Sequence, residues 1–300
     1  MICWHFPEKG RSYFQLVLGL LVFGCFSYLN GSEIRVDSVQ SATLNRSWKF
    51  HVYLPYAAHS QKNQQTYAVL YCLHGSGGDE TDWDRAFPLL DTLIRTGKIS
   101  PVIAISPGSG TSWWVDGLQP FESAFFKDLV PYVEKKYPVK TEKSARIVTG
   151  FSMGGYGALR YALTHPEFFG GAILLSPALY NDQPPLESSA RTSGSFGEPF
   201  SPELWQKRNY PGILPKYFAA KSPVFFFIAA GDDDWNEPEG VRFNMELQSV
   251  LLYQTLHKAH ENPAELRIVD GGHNWKLWLP LLKEGLETMA IQLDGFQIKK

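Results

Sequence analysis

Six short apolar runs, none of which alternates apolar with polar residues, limit most strongly the folds open to this chain. A strand with one face in water alternates, whereas a strand buried on both faces does not. Segments with helical periodicity separate several of the runs, so strand and helix follow one another. The pattern predicts an α/β fold with a mostly parallel sheet, helices on both faces and right-handed connections. The runs are residues 68–73, 102–106, 147–149, 172–175, 224–230 and 266–269.

Two earlier segments, residues 33–37 and 48–54, do alternate and predict an antiparallel hairpin at one edge of the sheet. No linker interrupts the pattern after them, so residues 33–300 are expected to form one domain. Residues 180–215 are rich in Pro, Ser, Gly and Asn and show little periodicity. Long segments of this kind are usually lids or binding loops, so an irregular loop insertion is predicted there.

The N-terminal segment has the layout of a secretory signal peptide. Lys9 and Arg11 precede an apolar stretch over residues 14–26, and small and polar residues follow it. This stretch is shorter than the ~18–20 residues that a spanning helix needs. We therefore expect an export signal at residues 1–32, no stable membrane span, and a secreted or periplasmic protein. Cys25 weakly matches a lipoprotein cleavage box, so a lipid anchor there is an alternative.

Charge and cysteine content exclude several classes of function. The net charge is −2 without a run of like charges, so no nucleic-acid partner is expected. Beyond residue 32 the chain has one cysteine, Cys72, inside an apolar run. Neither a disulfide framework nor a cysteine metal site is therefore predicted. No cofactor or metal ion is expected, and the oligomeric state is left open.

The pentapeptide Gly-Phe-Ser-Met-Gly at residues 150–154 lies between a predicted buried strand and a predicted helix. A G-x-S-x-G sequence in that context is typical of a nucleophile elbow, a strained turn that projects a serine hydroxyl into open space. Gly150 and Gly154 lack Cβ atoms, which lets strand and helix approach each other. The pattern predicts Ser152 as a nucleophile; the alternative is a Gly-rich turn with a solvated serine.

A base and an acid are expected after late strands, in the chain order Ser, Asp or Glu, His. His273 follows the last apolar run in a Gly-Gly-His loop, and is the predicted base; an exposed loop histidine is the alternative. Asp232, Asp233 and Asp234 follow residues 224–230, and spacing alone does not choose among them. A rival interpretation is a calcium site formed by this cluster with acidic residues 237 and 239, although the EF-hand spacing is absent.

An oxyanion hole needs two backbone donors. The N–H of Met153, directly after the predicted nucleophile, is one candidate. The other is expected in the glycine-rich loop after the run at residues 68–73, where the N–H of Ser76 is the candidate. An ordinary Gly-rich turn is the alternative for this loop. A phosphate loop is excluded because no Gly-Lys-Ser/Thr follows.

Four motifs together resemble the esterase-D-like family of α/β hydrolases. They are L-H-G-x-G-G at 73–78, G-x-S-M-G-G at 150–155, G-D-D-D at 231–234 and G-x-H-x-W-x-x-W at 271–278. The segments at 112–116 and 121–139 also resemble that family, and the similarity covers roughly residues 33–290. It implies the α/β-hydrolase fold and a serine esterase. The family's acid is the last residue of G-x-x-D, which implies Asp234 here.

This family includes feruloyl and acetylxylan esterases, S-formylglutathione hydrolases, siderophore esterases and mycolyl transferases. We therefore predict a serine carboxylic-ester hydrolase with an acyl-enzyme intermediate. Its expected substrates are small-molecule or polysaccharide esters, with feruloyl or acetyl groups. The alternatives are an acyltransferase to a sugar hydroxyl, an S-formylglutathione-type thioesterase, and a non-catalytic carbohydrate-binding protein on the same scaffold.

Aromatic residues near the site are candidates for contact with the substrate. Trp113 and Trp114 follow a predicted strand, and Trp205 lies in the segment 180–215 with Phe196 and Tyr210. Aromatic faces suit a phenolic ring or the apolar face of a sugar. The prediction is a substrate-binding role for Trp113, Trp114 and Trp205. The alternative is that these side chains belong to the core.

Overall fold

The structure, a computed structural model, describes residues 31–59, 65–234, 243–258, 260 and 262–293. The predicted export signal, Cys25 included, lies outside these residues except for its last two positions. Within the described part of the chain, no helix is both long and apolar enough to cross a membrane.

One sheet of eight strands runs through the structure. Its strands are β1 (Glu33–Ser41), β2 (Arg46–Leu54), β3 (Ala68–Leu73), β4 (Val102–Pro107), β5 (Arg146–Phe151), β6 (Gly171–Leu175), β7 (Phe225–Gly231) and β8 (Ala264–Val269). Their order is β1-β2-β4-β3-β5-β6-β7-β8. β2 is antiparallel to both of its neighbours, and all other pairs are parallel. The predicted edge hairpin and the mostly parallel sheet are confirmed.

The helices pack on both faces of this sheet. They are α1 (Phe87–Arg95), α2 (Phe121–Ala124), α3 (Val130–Lys136), α4 (Met153–Thr164), α5 (Pro202–Arg208), α6 (Tyr210–Ala220), α7 (Met245–Tyr253) and α8 (Trp275–Gln292). A π-helical turn, Phe125–Leu129, joins α2 to α3. Pro131 lacks an N–H, and the wider turn before it accommodates that missing donor.

Two hydrophobic clusters, one on each face of the sheet, form the core. β3, β4, β5, β6 and β7 are buried along their whole length, which explains why their sequences do not alternate. The carboxyl ends of the parallel strands meet at one edge of the sheet, where α/β proteins form their sites. The fold is the predicted α/β-hydrolase architecture.

The segment at 180–215 differs from the predicted irregular insertion. Its second half contains helix α5 and the start of helix α6, so the prediction was wrong there. Pro202 and Pro211 stand in the first turns of these helices, where the missing N–H has no partner to lose, whereas Pro215 lies inside α6. Ser201 and Asn209 cap the two helices with their side chains.

Candidate active site

Ser152 lies at the sharp turn from β5 into α4. Its backbone has φ 55° and ψ −121°, a strained conformation for a residue with a side chain. The turn is held from three sides. Ser152 N–H donates to Leu175 O at 2.9 Å, and Ser152 O accepts from the N–H groups of Tyr156 and Ala178, each at 3.1 Å. This is the strand–turn–helix geometry expected of a nucleophile elbow.

Close backbone contacts explain the glycines of this turn. A Cβ on Gly150 would lie 2.1 Å from Gly154 O, and one on Gly154 would lie 2.0 Å from Leu73 O. Real Cβ atoms do not approach backbone oxygens so closely, so larger residues would push α4 away from β3 and β5. The glycines therefore fix where the N-terminus of α4, with its unpaired N–H groups, meets the edge of the sheet.

Asp234 and His273 form a hydrogen-bonded pair at the ends of β7 and β8. The Nδ1 atom of His273 lies 2.6 Å from Oδ1 of Asp234, whose side chain is fully buried. Oδ2 of Asp234 also accepts from the backbone N–H of Gly231 at 3.3 Å. Contact with the carboxylate assigns the proton of His273 to Nδ1 and leaves Nε2 as the basic nitrogen. Asp232 and Asp233 are exposed, unlike Asp234.

Trp278 contacts both the imidazole ring of His273 and the turn that carries Ser152. Its ring stacks on Phe151, with centroids 4.5 Å apart, and meets His273 edge-on at 4.9 Å. Its indole N–H donates to Ser176 Oγ at 2.8 Å. One side chain thus contacts both the residue before Ser152 and the predicted base. Among the described residues, the Ser152 hydroxyl makes no hydrogen bond; such contacts often tighten only when substrate is bound.

The loop after β3 is organised by a buried histidine. Nδ1–H of His74 donates to Gly75 O at 2.7 Å, and its Nε2 accepts from Ser109 N–H at 2.8 Å. Burial lowers the pKa of His74, with hydrogen bonding to Gly75 and nearby acidic residues opposing that shift. Nε2 can accept only while the ring is neutral, so the loop is held by an uncharged imidazole.

The two predicted oxyanion donors lie at the same edge of the sheet, Ser76 after β3 and Met153 after β5. Within the described parts of the chain, the backbone N–H groups of Ser76 and Met153 have no hydrogen-bond partner. Met153 opens α4, where the first N–H groups have no acceptor in the helix. Both donors are thus available to a substrate oxygen, as an oxyanion hole requires.

Ser189, which no sequence pattern singled out, connects this loop to the segment after β6. Its Oγ accepts from Ser76 Oγ at 2.8 Å and from the indole N–H of Trp113 at 3.1 Å. Ser189 opens a short 3₁₀ turn that Ser188 caps. The surrounding sequence, Glu-Ser-Ser-Ala-Arg, carries no motif that could have indicated this role.

The three tryptophans proposed for substrate contact are in the interior. Trp113 is 2% exposed, and Trp114 and Trp205 are fully buried. Trp113 packs against the rings of Tyr156 and Trp205, with centroids 5.3 and 5.9 Å away. These indoles present no open face here, which favours the alternative that they belong to the core. A substrate-binding role for them stays a prediction.

An acidic cluster lies beside the Asp234–His273 pair. One carboxylate oxygen from each of Asp232, Asp233 and Asp270 lies within 4.8 Å of the other two, and all three residues are exposed. Oδ1 of Asp232 accepts from the backbone N–H of Gly271 at 3.1 Å. The rival calcium site included acidic residues 237 and 239, which lie outside the described residues. Asp234 turns away from this cluster toward His273.

Comparison with known proteins yields several relatives. Over 163 residues the chain is 32% identical to an endo-1,4-beta-xylanase/feruloyl esterase of Xylanibacter ruminicola, covering 51% of this chain and 22% of that protein. Over 235 residues it is 24% identical to an acetyl esterase of Caldicellulosiruptor saccharolyticus, covering 74% of this chain and 83% of that protein. The chain spans about a quarter or less of the length of the first curated relatives it matches.

Solved structures share the fold. A ferulic acid esterase superposes with a TM-score of 0.73 at 24% identity, covering 88% of this chain and 98% of that one. An S-formylglutathione hydrolase from Agrobacterium tumefaciens gives a TM-score of 0.65 at 18% identity, covering 88% of this chain and 96% of that one. The sequence profile of the family described as "Putative esterase" matches residues 41–289. With this match and the elbow geometry around Ser152, the chain belongs to that esterase family.

Proposed function

We propose that the protein is a serine esterase that hydrolyses carboxylic esters through Ser152, His273 and Asp234. The observation that carries the proposal is the 2.6 Å Asp234–His273 pair, linked through Trp278 to the strained turn that presents Ser152. A glycine-rich loop with an unpaired N–H at Ser76 completes the arrangement. A binding protein would have no use for this combination.

The proposed reaction proceeds in two halves. Ser152 Oγ attacks the ester carbonyl carbon while Nε2 of His273 accepts the hydroxyl proton. The N–H groups of Ser76 and Met153 stabilise the negative oxygen of the tetrahedral intermediate. As the C–O bond to the alcohol breaks, His273 returns the proton to the leaving oxygen. Water then attacks the acyl-enzyme in the same way, which releases the acid and regenerates Ser152.

Asp234 has an orienting role in this proposal. Its carboxylate accepts from Nδ1–H, which keeps Nε2 unprotonated and facing the site, and it stabilises the imidazolium that forms during attack. Complete burial of the Asp234 carboxylate strengthens that interaction, because water does not reach this side of the pair. The two exposed aspartates lack such a position.

We propose feruloyl or acetyl groups on a polysaccharide as the substrates. The relatives named above are described as a feruloyl esterase joined to a xylanase and as an acetyl esterase, which supports this class. The predicted export signal adds support, because polysaccharide esters lie outside the cell whereas a glutathione thioester is cytosolic. Acyl transfer to a sugar hydroxyl would use the same residues and differs only in the acceptor.

Active-site variants test the mechanism. We expect Ser152→Ala to abolish hydrolysis of p-nitrophenyl acetate and labelling by a fluorophosphonate. Asp234→Asn should lower kcat by about 10³–10⁴-fold, because the base loses its oriented tautomer. Asp232→Asn and Asp233→Asn are matched controls and should retain most activity.

Other outcomes would contradict specific parts of the proposal. Full activity of Ser152→Ala would remove the nucleophile from the scheme. A greater loss at Asp232 or Asp233 than at Asp234 would reassign the acid. Comparison of methyl ferulate, acetylated xylan and S-formylglutathione on one preparation tests the substrate class, and a clear preference for the thioester would overturn it. Product analysis with added sugar acceptors separates hydrolysis from transfer.

A further inference from the structure

A cleft of about 660 Å³ lies beside the candidate active site and contains none of Ser152, Asp234 and His273. Its walls are the start of β2 (residues 46–49), the loop after β3 (78–80) and the loop after β4 (108–112), with parts of 118–121 and 193–195. We call it the β2–β4 cleft. Its volume falls within the range of about 300–1,000 Å³ that accommodates drug-sized ligands.

The cleft and Ser152 share one edge of the sheet. β4 and β5 each pair in parallel with β3, which lies between them, so their carboxyl ends point the same way. Neighbouring strands are ~4.8 Å apart, which separates the ends of β4 and β5 by about 10 Å. The loop carrying Ser76 continues directly into the cleft wall at Gly78. A substrate with its ester at Ser152 could therefore extend into the cleft.

The walls are held together by hydrogen bonds within the protein. The indole N–H of Trp48 donates to Gly108 O at 2.5 Å, and Gly108 N–H donates to Lys49 O at 3.3 Å. On the other side, Gly77 N–H donates to Gly110 O at 3.1 Å. These bonds tie the loop after β4 to β2 and to the oxyanion loop, so the cleft exists without a ligand.

The charged residues of the lining balance one another. Two cations, Arg46 and Lys49, face the cleft together with two anions, Asp79 and Glu80. A ligand of strong net charge would be attracted by the residues of opposite charge and repelled by those of like charge. The balance argues against a phosphorylated or polyanionic ligand and favours a neutral one.

Several polar side chains of the lining are available to a ligand. Ser47, Lys49 and Thr111 make no side-chain hydrogen bond to any described residue. An aliphatic chain would cover these polar groups without forming hydrogen bonds to them. Each group buried without a partner would cost about 1–3 kcal/mol of binding free energy. Leu118, 70% exposed, adds an apolar surface to the rim. Apolar surface from Trp48, Leu118 and Phe121 lies among these hydrogen-bonding groups. This mixture matches a polyhydroxylated ring, which has both hydroxyl groups and C–H faces.

We propose that the β2–β4 cleft binds the carbohydrate part of the substrate, as a neutral oligosaccharide segment distant from the scissile ester. This inference rests on the proposed esterase activity and adds a separate binding site to it. The cleft would select esters carried on a glycan over the same acyl group on a small alcohol. Ser47, Lys49 and Thr111 would supply hydrogen bonds to the sugar hydroxyls.

The test compares two esters of one acid, acetic or ferulic, whose alcohols are methanol and xylotetraose. The measured quantity is the ratio of kcat/KM for the xylotetraose ester to kcat/KM for the methyl ester. Ser47→Trp, which would fill the cleft, should lower this ratio about tenfold. The matched control is Gln40→Trp, since Gln40 is equally exposed, lies directly opposite Ser47 on β1 and is not part of the cleft. It should keep the wild-type ratio.

Thr111→Val provides a second variant that removes a hydroxyl without adding bulk, and it should lower the ratio about threefold. Binding of unesterified xylotetraose to Ser152→Ala, measured by calorimetry, is expected and should be lost with Ser47→Trp. Absence of hydrolysis of both esters by the wild type would refute the proposed function, and the binding measurement would still test the cleft. Hydrolysis with an unchanged ratio in both cleft variants, or no xylotetraose binding, would overturn this inference.

Discussion

Ser189 is the residue that most directly connects the segment after β6 to the proposed oxyanion loop. Its hydroxyl accepts from Ser76 Oγ and from the buried indole N–H of Trp113. Ser76 itself is exposed, and although His74 and Gly77 hold other parts of its loop, its own side chain is held by the hydrogen bond to Ser189. The proposed donor at Ser76 therefore depends on a contact from a distant part of the chain.

We expect Ser189→Ala to lower kcat about tenfold with little change in KM. The variant would displace the N–H donor of Ser76 without removing it. Complete loss of one oxyanion donor lowers kcat by about 10²–10³-fold, so a smaller effect is expected. Ser189→Thr, which keeps the hydroxyl, should restore most of the rate. Ser76→Ala combined with Ser189→Ala should be no worse than Ser189→Ala alone, because Ser76→Ala removes only a hydrogen bond that Ser189→Ala has already removed. Additive losses would show that Ser189 acts by another route.

Residues of the site differed in how well the sequence predicted them. Ser152 and His273 were predicted from local patterns, because a strained turn needs glycines beside it and a base follows a strand. Three adjacent aspartates gave no local distinction, and only the fold buries Asp234 while leaving Asp232 and Asp233 exposed. Ser189 was missed, since its partners lie 76 and 113 positions away in the chain.

At the scale of elements, the contact between β3 and α4 sets the position of the elbow. Gly154 lies in the first turn of α4, against the carbonyl oxygens of Leu73 and His74. The same strand end leads into the oxyanion loop. A change in this contact should therefore affect both stability and the spacing of the two proposed oxyanion donors.

Gly154→Ala is expected to destabilise the protein by about 1–3 kcal/mol, because its Cβ would lie 2.0 Å from Leu73 O and 2.6 Å from His74 O. Gly272→Ala is the matched control, since its nearest contact would be an ordinary 3.5 Å to Asp233 O. It should change the free energy of unfolding by no more than about 0.5 kcal/mol. Urea denaturation measures both, and equal stability of the two variants would contradict the steric argument.

The elements also show where sequence patterns succeed. Buried strands such as β3 and β7 were predicted because full burial leaves an uninterrupted apolar run. Helices α5 and α6 were missed because the abundance of Pro, Ser, Gly and Asn in the segment suggested a loop. Pro202 and Pro211, however, stand where a helix tolerates proline. The capping side chains of Ser201 and Asn209 precede them and were the available signal. Whether the nearby tryptophans faced substrate or core depended on tertiary packing, which local sequence does not encode.

For the whole molecule, buried titratable groups couple stability to pH. Burial lowers the pKa of His74, and burial with Arg160 and Lys216 nearby lowers that of His165 to about 4. The unfolded chain binds protons at these histidines near pH 6.5, whereas the folded protein does not. Glu122 acts in the opposite sense, because burial raises its pKa despite Arg160, so the folded state retains a proton that the unfolded state has lost.

The two histidines should make the free energy of unfolding fall as the pH drops from about 6.5 toward 4, by at most about 1.4 kcal/mol per pH unit for each histidine. His165→Phe isolates one contribution, since its ring packs against Phe126 with centroids 3.7 Å apart and phenylalanine can keep that contact. The difference in stability between this variant and the wild type should grow in favour of the variant as the pH falls. Urea denaturation at pH 7, 6 and 5 measures it. A difference that stays constant would mean that His165 takes up no extra proton on unfolding.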